Sequence, residues 1–153
     1  MNDIVLEWVI PHFLSAKQKI MKIVLLLAFI ALAAFAILSN ALFTVPAILL
    51  GVVIFFLFRS WKLEYEYSYV NGDLTISKII CKASRKDVFQ CDLNDIQWVQ
   101  KGRISSGSSK TRDFTSGLED ASVYTIKTED HTVYIEPNEP FLKQMSFYRK
   151  LKQ

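Results

Sequence analysis

IVLLLAFIALAAFAILSNALFTVPAILLGVVIFFLF, residues 23–58, runs between Lys22 and Arg59 without one charged side chain. One continuous helix over this stretch would be about 54 Å long at ~1.5 Å per residue. The hydrocarbon core of a bilayer is only about 30 Å thick, so a single span would leave much of the apolar surface in water. The run contains its own break, Ser39-Asn40-Ala41, followed by Thr44 and Pro46. Asn and Ser favour turns because their side chains bond nearby backbone, and Pro suits the first turn of a new helix. The stretch therefore predicts a transmembrane helical hairpin over residues 20–59, with arms at 20–38 and 42–58, both helical because lipid-exposed backbone must satisfy itself.

The flanks orient it. Lys17, Lys19 and Lys22 precede the first arm, Arg59 and Lys62 follow the second, and the turn between carries no charge. Positive residues stay on the cytoplasmic side, which predicts a two-span protein of the cell membrane with both termini cytoplasmic. Lys22, Arg59 and Trp61 fall where interfacial side chains belong. A cleaved signal peptide is the alternative reading, since Ala34-Phe35-Ala36 follows a basic and an apolar segment. A second apolar run directly after that site argues against it. Upstream, residues 1–19 place Ile4, Val5, Trp8 and Val9 at helical spacing, with Asp3 and Glu7 on another face, before Pro11 breaks the pattern. This predicts an N-terminal amphipathic helix lying in the headgroup region with Trp8 at the interface, or else packed on the remainder of the protein.

Residues 60–153 suffice for one small domain. From Arg59 onward there are fifteen Lys/Arg against thirteen Asp/Glu, a near balance that lacks the clustered basic surface of a nucleic-acid-binding domain. Cys81 and Cys91 would stay reduced in a cytoplasmic domain.

After Trp61 the hydrophobic period changes to two. KLEYEYSYV sets Leu63, Tyr65, Tyr67 and Tyr69 on one face and Glu64, Glu66 and Ser68 on the other, a strand with one buried side. Such a tyrosine stripe is either core, with its hydroxyls reaching solvent, or an aromatic ligand platform. Asn71-Gly72 then signals a type I′ hairpin into a second strand, DLTISKII. A shorter third strand follows over residues 85–90, residues 91–95 read as loop, and residues 96–100 form a fourth strand. Residues 101–120, rich in Gly, Ser and charge, form a flexible loop or a weak edge strand around 111–115. Two more strands alternate over 121–128 and 132–136, with an exposed turn at Glu129-Asp130-His131. Asn138 as N-cap, Glu139 and Pro140 then open a C-terminal amphipathic helix whose stripe is Phe141, Leu142, Met145, Tyr148 and Leu151, with Lys150 and Lys152 at its end.

Six or seven antiparallel strands followed by one amphipathic helix resemble the pleckstrin-homology-like (PH-like) fold, a bent sheet or half-barrel plugged by its helix. EYEYSYVNGDLTISKII followed by DLNDIQWV is similar to the PH-like domains carried by bacterial membrane-anchored proteins of an uncharacterised family, a domain of unknown function. The resemblance implies an α+β membrane protein with a hairpin of membrane helices before a cytoplasmic sheet domain. It implies little about activity, because one fold hosts many functions. Phosphoinositide-binding PH domains place basic residues around a long first hairpin loop, whereas here that loop is Asn71-Gly72. The nearest basic group is Lys82, Arg85 and Lys86 in the next turn, which either contacts anionic lipid headgroups or is simply solvated.

No pattern identifies chemistry. Two cysteines and two distant histidines do not supply a metal set, and no phosphate loop or nucleophile elbow occurs. No catalytic residue, cofactor or small-molecule substrate is therefore expected, and the protein reads as a non-enzyme. The favoured function is a PH-like interaction module held at the cytoplasmic membrane face, binding a protein partner or itself through residues 101–120 and exposed strand edges. The alternatives are an anionic-lipid sensor and a small structural subunit of a membrane complex, the latter suggested by Ala47 and Gly51 as a small-xxx-small face.

Overall fold

Leu63–Val70 (β2) and Asp73–Ile80 (β3) form the hairpin that Asn71-Gly72 signals, with φ of +50° and +112° at its two turn residues. The computed structural model describes residues 4–38, 41–105 and 110–152. The expected helix break at Ser39-Asn40 lies outside the described residues. The contacts divide the chain into two units, Leu14–Lys62 and the remainder. The smaller unit is thus inserted within the larger one.

In the larger unit β2 has a second partner that corrects the N-terminal expectation. Val5–His12 is a strand, β1, paired antiparallel to β2 from Val5↔Val70 to His12↔Leu63. Its side chains alternate, with Leu6, Trp8, Ile10 and His12 facing in and Val5, Glu7, Val9 and Pro11 facing out. The same residues that fit a helical stripe also fit a period of two, and pairing to an amphipathic neighbour decides between them. Pro11 is tolerated because β1 is the edge of its sheet. Trp8 consequently sits not at a membrane interface but on Tyr67, with ring centroids 4.9 Å apart and planes nearly parallel. It also packs on Phe141, and its indole N–H donates to the Glu136 carbonyl at 3.0 Å.

Ser84–Asp92 (β4) completes a four-stranded sheet ordered β1-β2-β3-β4. It is longer than expected and includes Cys91, which is buried rather than in a loop. The turn Cys81-Lys82-Ala83 into β4 puts Cys81 and Lys82 at φ of +54° and +55°, closed by Ala83 N–H donating to the Ile80 carbonyl at 3.1 Å. Neither residue type is suited to the left-handed region. A second sheet has the order β6-β8-β7-β5-β9, from Trp98–Lys101 (β5), Lys110–Asp113 (β6), Tyr124–Lys127 (β7), His131–Ile135 (β8) and Leu151–Lys152 (β9). Nine strands in two sheets thus replace the expected six or seven among the described residues. One core joins them: Tyr67, Tyr69, Leu74 and Ile76 from the first sheet meet Val99, Ile126, Val133 and Ile135 from the second, and Phe141 and Met145 from the helix.

That helix, α3, spans Glu139–Phe147, with Asn138 Oδ1 accepting from the Phe141 N–H at 2.9 Å as the sequence indicates. It ends earlier than its apolar stripe implies. Arg149 adopts φ +56°, Lys150 N–H donates to the Met145 carbonyl and Arg149 N–H to that of Ser146. This pattern stops a helix, most often with Gly in place of Arg149. Leu151 therefore pairs beside Val99 as a strand, and Tyr148 is exposed.

The inserted unit is a helical pair. Ala16–Leu38 (α1) has 23 residues and Thr44–Ser60 (α2) has 17, with a 3-10 turn at Ala41–Phe43 between them. They run antiparallel, since Phe35 meets Phe43, Phe29 meets Gly51 and Lys22 Nζ sits over the Phe58 ring. Their shared seam is Leu25, Phe29, Leu32 and Ala36 on α1 against Ala47, Gly51, Ile54 and Phe58 on α2. The small residues Ala47 and Gly51 are thus used within the pair, not left for a partner. Only α1 is long and apolar enough to cross a membrane among the described residues, and α2 is a shorter apolar helix.

Two substitutions test these local readings by thermal unfolding of the purified chain in detergent micelles. Lys82→Gly relieves a left-handed side-chain clash and is expected to stabilise the sheet unit by about 1 kcal/mol. A Cβ on Gly51 would lie 3.0 Å from the Phe29 ring. Gly51→Ala is expected to be near neutral, because helix propensity offsets that contact. Gly51→Ile should cost about 1–3 kcal/mol by overpacking, and Phe29→Ala in the same chain should recover part of the loss.

Candidate functional site

Lys82, Arg85 and Lys86, adjacent in sequence, are not gathered into one surface. Arg85 and Lys86 are successive strand residues and so project to opposite sides of the sheet. Arg85 lies on the outer face, where its Nη1 is 3.1 Å from Glu66 Oε2 and its Nε donates to Ser77 Oγ at 3.4 Å. Ser77 Oγ donates in turn to Asp87 Oδ1 at 2.6 Å. Glu66 is largely covered, and the nearby guanidinium offsets part of the cost of its buried charge, although Oε2 receives no hydrogen bond. Lys86 stands opposite Lys78 on the other face.

A β-bulge separates these residues from the core half of β4. The register passes from Ser77↔Asp87 to Ile76↔Phe89 and leaves Val88 without a ladder partner. Arg112 on β6 reaches across, its Nη1 donating to the Val88 carbonyl at 2.6 Å. The edges of the two sheets are joined there, beside an open cleft of about 390 Å³. Its floor is Phe89, Cys91 and Thr128, and its rim carries Asp95, Arg112, Glu129, Asp130 and His131. His131 was expected in an exposed turn; instead it begins β8 and packs on Phe89 with centroids 6.1 Å apart. Burial, then the Asp95, Asp92 and Asp73 carboxylates, pushes the Cys91 thiol up to about 12, so it stays protonated and is a poor nucleophile. Among the described residues no three His, Cys, Asp or Glu side chains converge as a metal site requires.

Part of the segment expected to be flexible is core. Phe114, Thr115 and Ser116 are buried, while residues 106–109 lie outside the described residues. Asp113 Oδ1 accepts from the Thr115 N–H and hydroxyl at 3.0 and 2.7 Å, and Asp113 Oδ2 pairs with Arg103 Nη1. Arg103 Nη2 donates to Thr115 Oγ1 at 3.0 Å, and its guanidinium lies over Tyr134. The clasp holds a stretch whose backbone receives several partners. The Tyr67 hydroxyl donates to the Phe114 carbonyl at 2.5 Å, so this hydroxyl points into the core and not to solvent. His12 Nδ1 donates to the Thr115 carbonyl at 2.8 Å, Phe13 N–H to that of Ser116, and Glu136 accepts from both donors of Ser116. A second cleft, of about 410 Å³, opens beside it between Lys101-Gly102-Arg103 and Gly117-Leu118-Glu119. The Asp113-x-Thr115 spacing is a local signal for this turn that composition alone hid.

In the helical unit the basic side chains gather at one end, as the antiparallel packing dictates. Lys22 lies over Phe58, Trp61 stacks on Phe58 with centroids 5.5 Å apart, and Arg59 occupies the last turn of α2.

Two small sheets around one core, plugged by a C-terminal helix, define a PH-like domain. A family model described as "Bacterial PH-like domain (DUF6106)" matches residues 2–153, and the chain belongs to that family. No curated protein and no solved structure matches it.

Burial pushes the Asp113 carboxyl up, but hydrogen bonds from Thr115 and Arg103 outweigh it and hold the group below its ordinary value. A carboxylate lowered on folding stabilises above its unfolded pKa of about 3.9. That contribution disappears as pH falls through the lower folded value. Asp113→Ala should therefore cost roughly 1–2 kcal/mol near neutral pH. Denaturant titrations from pH 7 to pH 3 should show a smaller loss of stability in the variant than in the wild type.

Proposed function

We propose that this protein is a membrane-anchored, non-catalytic interaction module, in which α1 and α2 cross the cell membrane as a hairpin and present the PH-like domain to the cytoplasm. One observation carries the reading. Nothing in α1 is buried, and both helices expose apolar side chains away from their seam, from Ile20 and Ile30 to Leu49 and Phe56. Such a surface is stable in hydrocarbon and not in water. At 17 residues, α2 is about 25 Å long, within what bilayer thinning accommodates. The basic end at Lys22 and Arg59 supports cytoplasmic termini.

The ligand we favour is an extended segment of a protein partner lying along the β4 edge from Phe89 onward, past the Val88 carbonyl that Arg112 holds, with a basic side chain toward Asp95, Glu129 and Asp130 in the cleft. Edge pairing supplies affinity and the cleft supplies selection. A headgroup site built on Lys82, Arg85 and Lys86 is less favoured, because Arg85 is engaged by Glu66.

Two measurements test the proposal, the first on intact cells. A Leu38→Cys chain should be labelled by an impermeant thiol reagent from outside, and labelling only from inside would overturn the orientation. Affinity purification from solubilised membranes should recover a partner that Glu129→Lys/Asp130→Lys loses at least tenfold. An unchanged set of co-purifying proteins would remove the cleft from consideration.

A further inference from the structure

The end of α3 displays two aromatic rings that the domain does not cover. Phe147 is 78% exposed and Tyr148 43%, and the rings meet edge to face with centroids 5.2 Å apart. The inward stripe of the helix is already used by Phe141 and Met145, both fully buried. The left-handed Arg149 and the hydrogen bonds that close the helix fix the backbone that carries the two rings, so their exposure is not the fraying of a loose terminus. Along this segment of the chain the charge is mainly basic. Residues 139–152 have one acid, Glu139 at the opposite end of the helix, whereas Lys143, Arg149 and Lys150 flank the rings.

Exposed aromatics beside basic groups combine the two terms that hold a surface on an anionic leaflet. The rings favour the headgroup layer, where an apolar body and a polar tip are both satisfied, and the cations favour the leaflet's negative potential. We propose that the α3 end docks on the anionic lipid surface, burying Phe147 and Tyr148 among headgroups with Lys143, Arg149 and Lys150 toward the phosphates. This rests on the membrane-anchored reading above, since a tethered domain meets that surface at high local concentration. A protein partner is the weaker occupant: the patch is two rings at a helix end, far below the roughly 1,000 Å² that a stable protein interface needs.

The full chain reconstituted into nanodiscs tests this with an environment-sensitive fluorophore on Ser146→Cys, in a Cys81→Ser background where Cys91 stays buried. The readout is quenching by nitroxide-labelled lipid. In discs containing phosphatidylglycerol, quenching at position 146 should be at least twofold greater than in phosphatidylcholine alone. It should fall by half or more in 0.5 M salt, in Phe147→Ala/Tyr148→Ala, and in Lys143→Gln/Arg149→Gln/Lys150→Gln. Circular dichroism of each variant controls for folding. A second label at Ile30→Cys separates the two readings. Quenching there with none at 146 in anionic discs overturns the docking alone. No quenching at Ile30 overturns the anchoring and the docking together. Equal, salt-independent quenching at 146 in both discs overturns the anionic requirement.

Discussion

Antiparallel pairing of β1 with β2 is the contact on which the domain depends. It places Trp8 on Tyr67 and Phe141, provides the indole N–H for the Glu136 carbonyl, and carries His12 and Phe13 to the backbone of Thr115 and Ser116. Without β1, Tyr67 would lose the ring stacked on it, and the buried carbonyls of Thr115 and Ser116 and the half-buried one of Glu136 would lose donors. An unmet buried acceptor costs about 1–3 kcal/mol, so the loss compounds across one small core. Asn71 extends the ladder beyond β1, its N–H donating to the Ile4 carbonyl and its Oδ1 accepting from the Ile4 N–H.

Elements with a local chemical cause were legible in the sequence. Asn71-Gly72 has residues that tolerate positive φ, and Asn138 with Pro140 starts a helix by side-chain bonding and fixed φ. Elements decided by a distant partner were not. Ile4, Val5, Trp8 and Val9 satisfy a helical period, while Ile4, Leu6, Trp8 and Ile10 satisfy a strand period, and only β2 selects the second. The end of α3 was misplaced because Arg149 adopts a conformation normally left to glycine. Likewise, the Gly and Ser content of residues 101–120 concealed Phe114, Thr115 and Ser116, whose burial follows from Tyr67 and Glu136 on other strands.

The same distinction applies to charge. Strand alternation alone separates Arg85 from Lys86, and this was readable in principle. The engagement of Arg85 by Glu66 was not, because it joins strands whose register depends on the bulge at Val88. Arg112 and Arg103, which sequence reading passed over, do more structural work than the basic turn. One bridges the sheet edges at the unpaired Val88 carbonyl, and the other anchors the Asp113 turn. Both act through backbone acceptors or short-range partners that have no sequence signature at the arginine itself.

The insertion of the helical pair between two paired strands also sets an order in time. Translation at about 5–20 residues per second releases β1 roughly 3–10 s before the strand it must join. Through that interval Trp8 and Ile10 have no partner, and closure must span a loop containing both helices. The pairing of β1 with β2 thus forms only after both helices have been made. A chain halted within either helix has no β2 for β1 to join, so completion of the domain reports that its apolar pair has been synthesised.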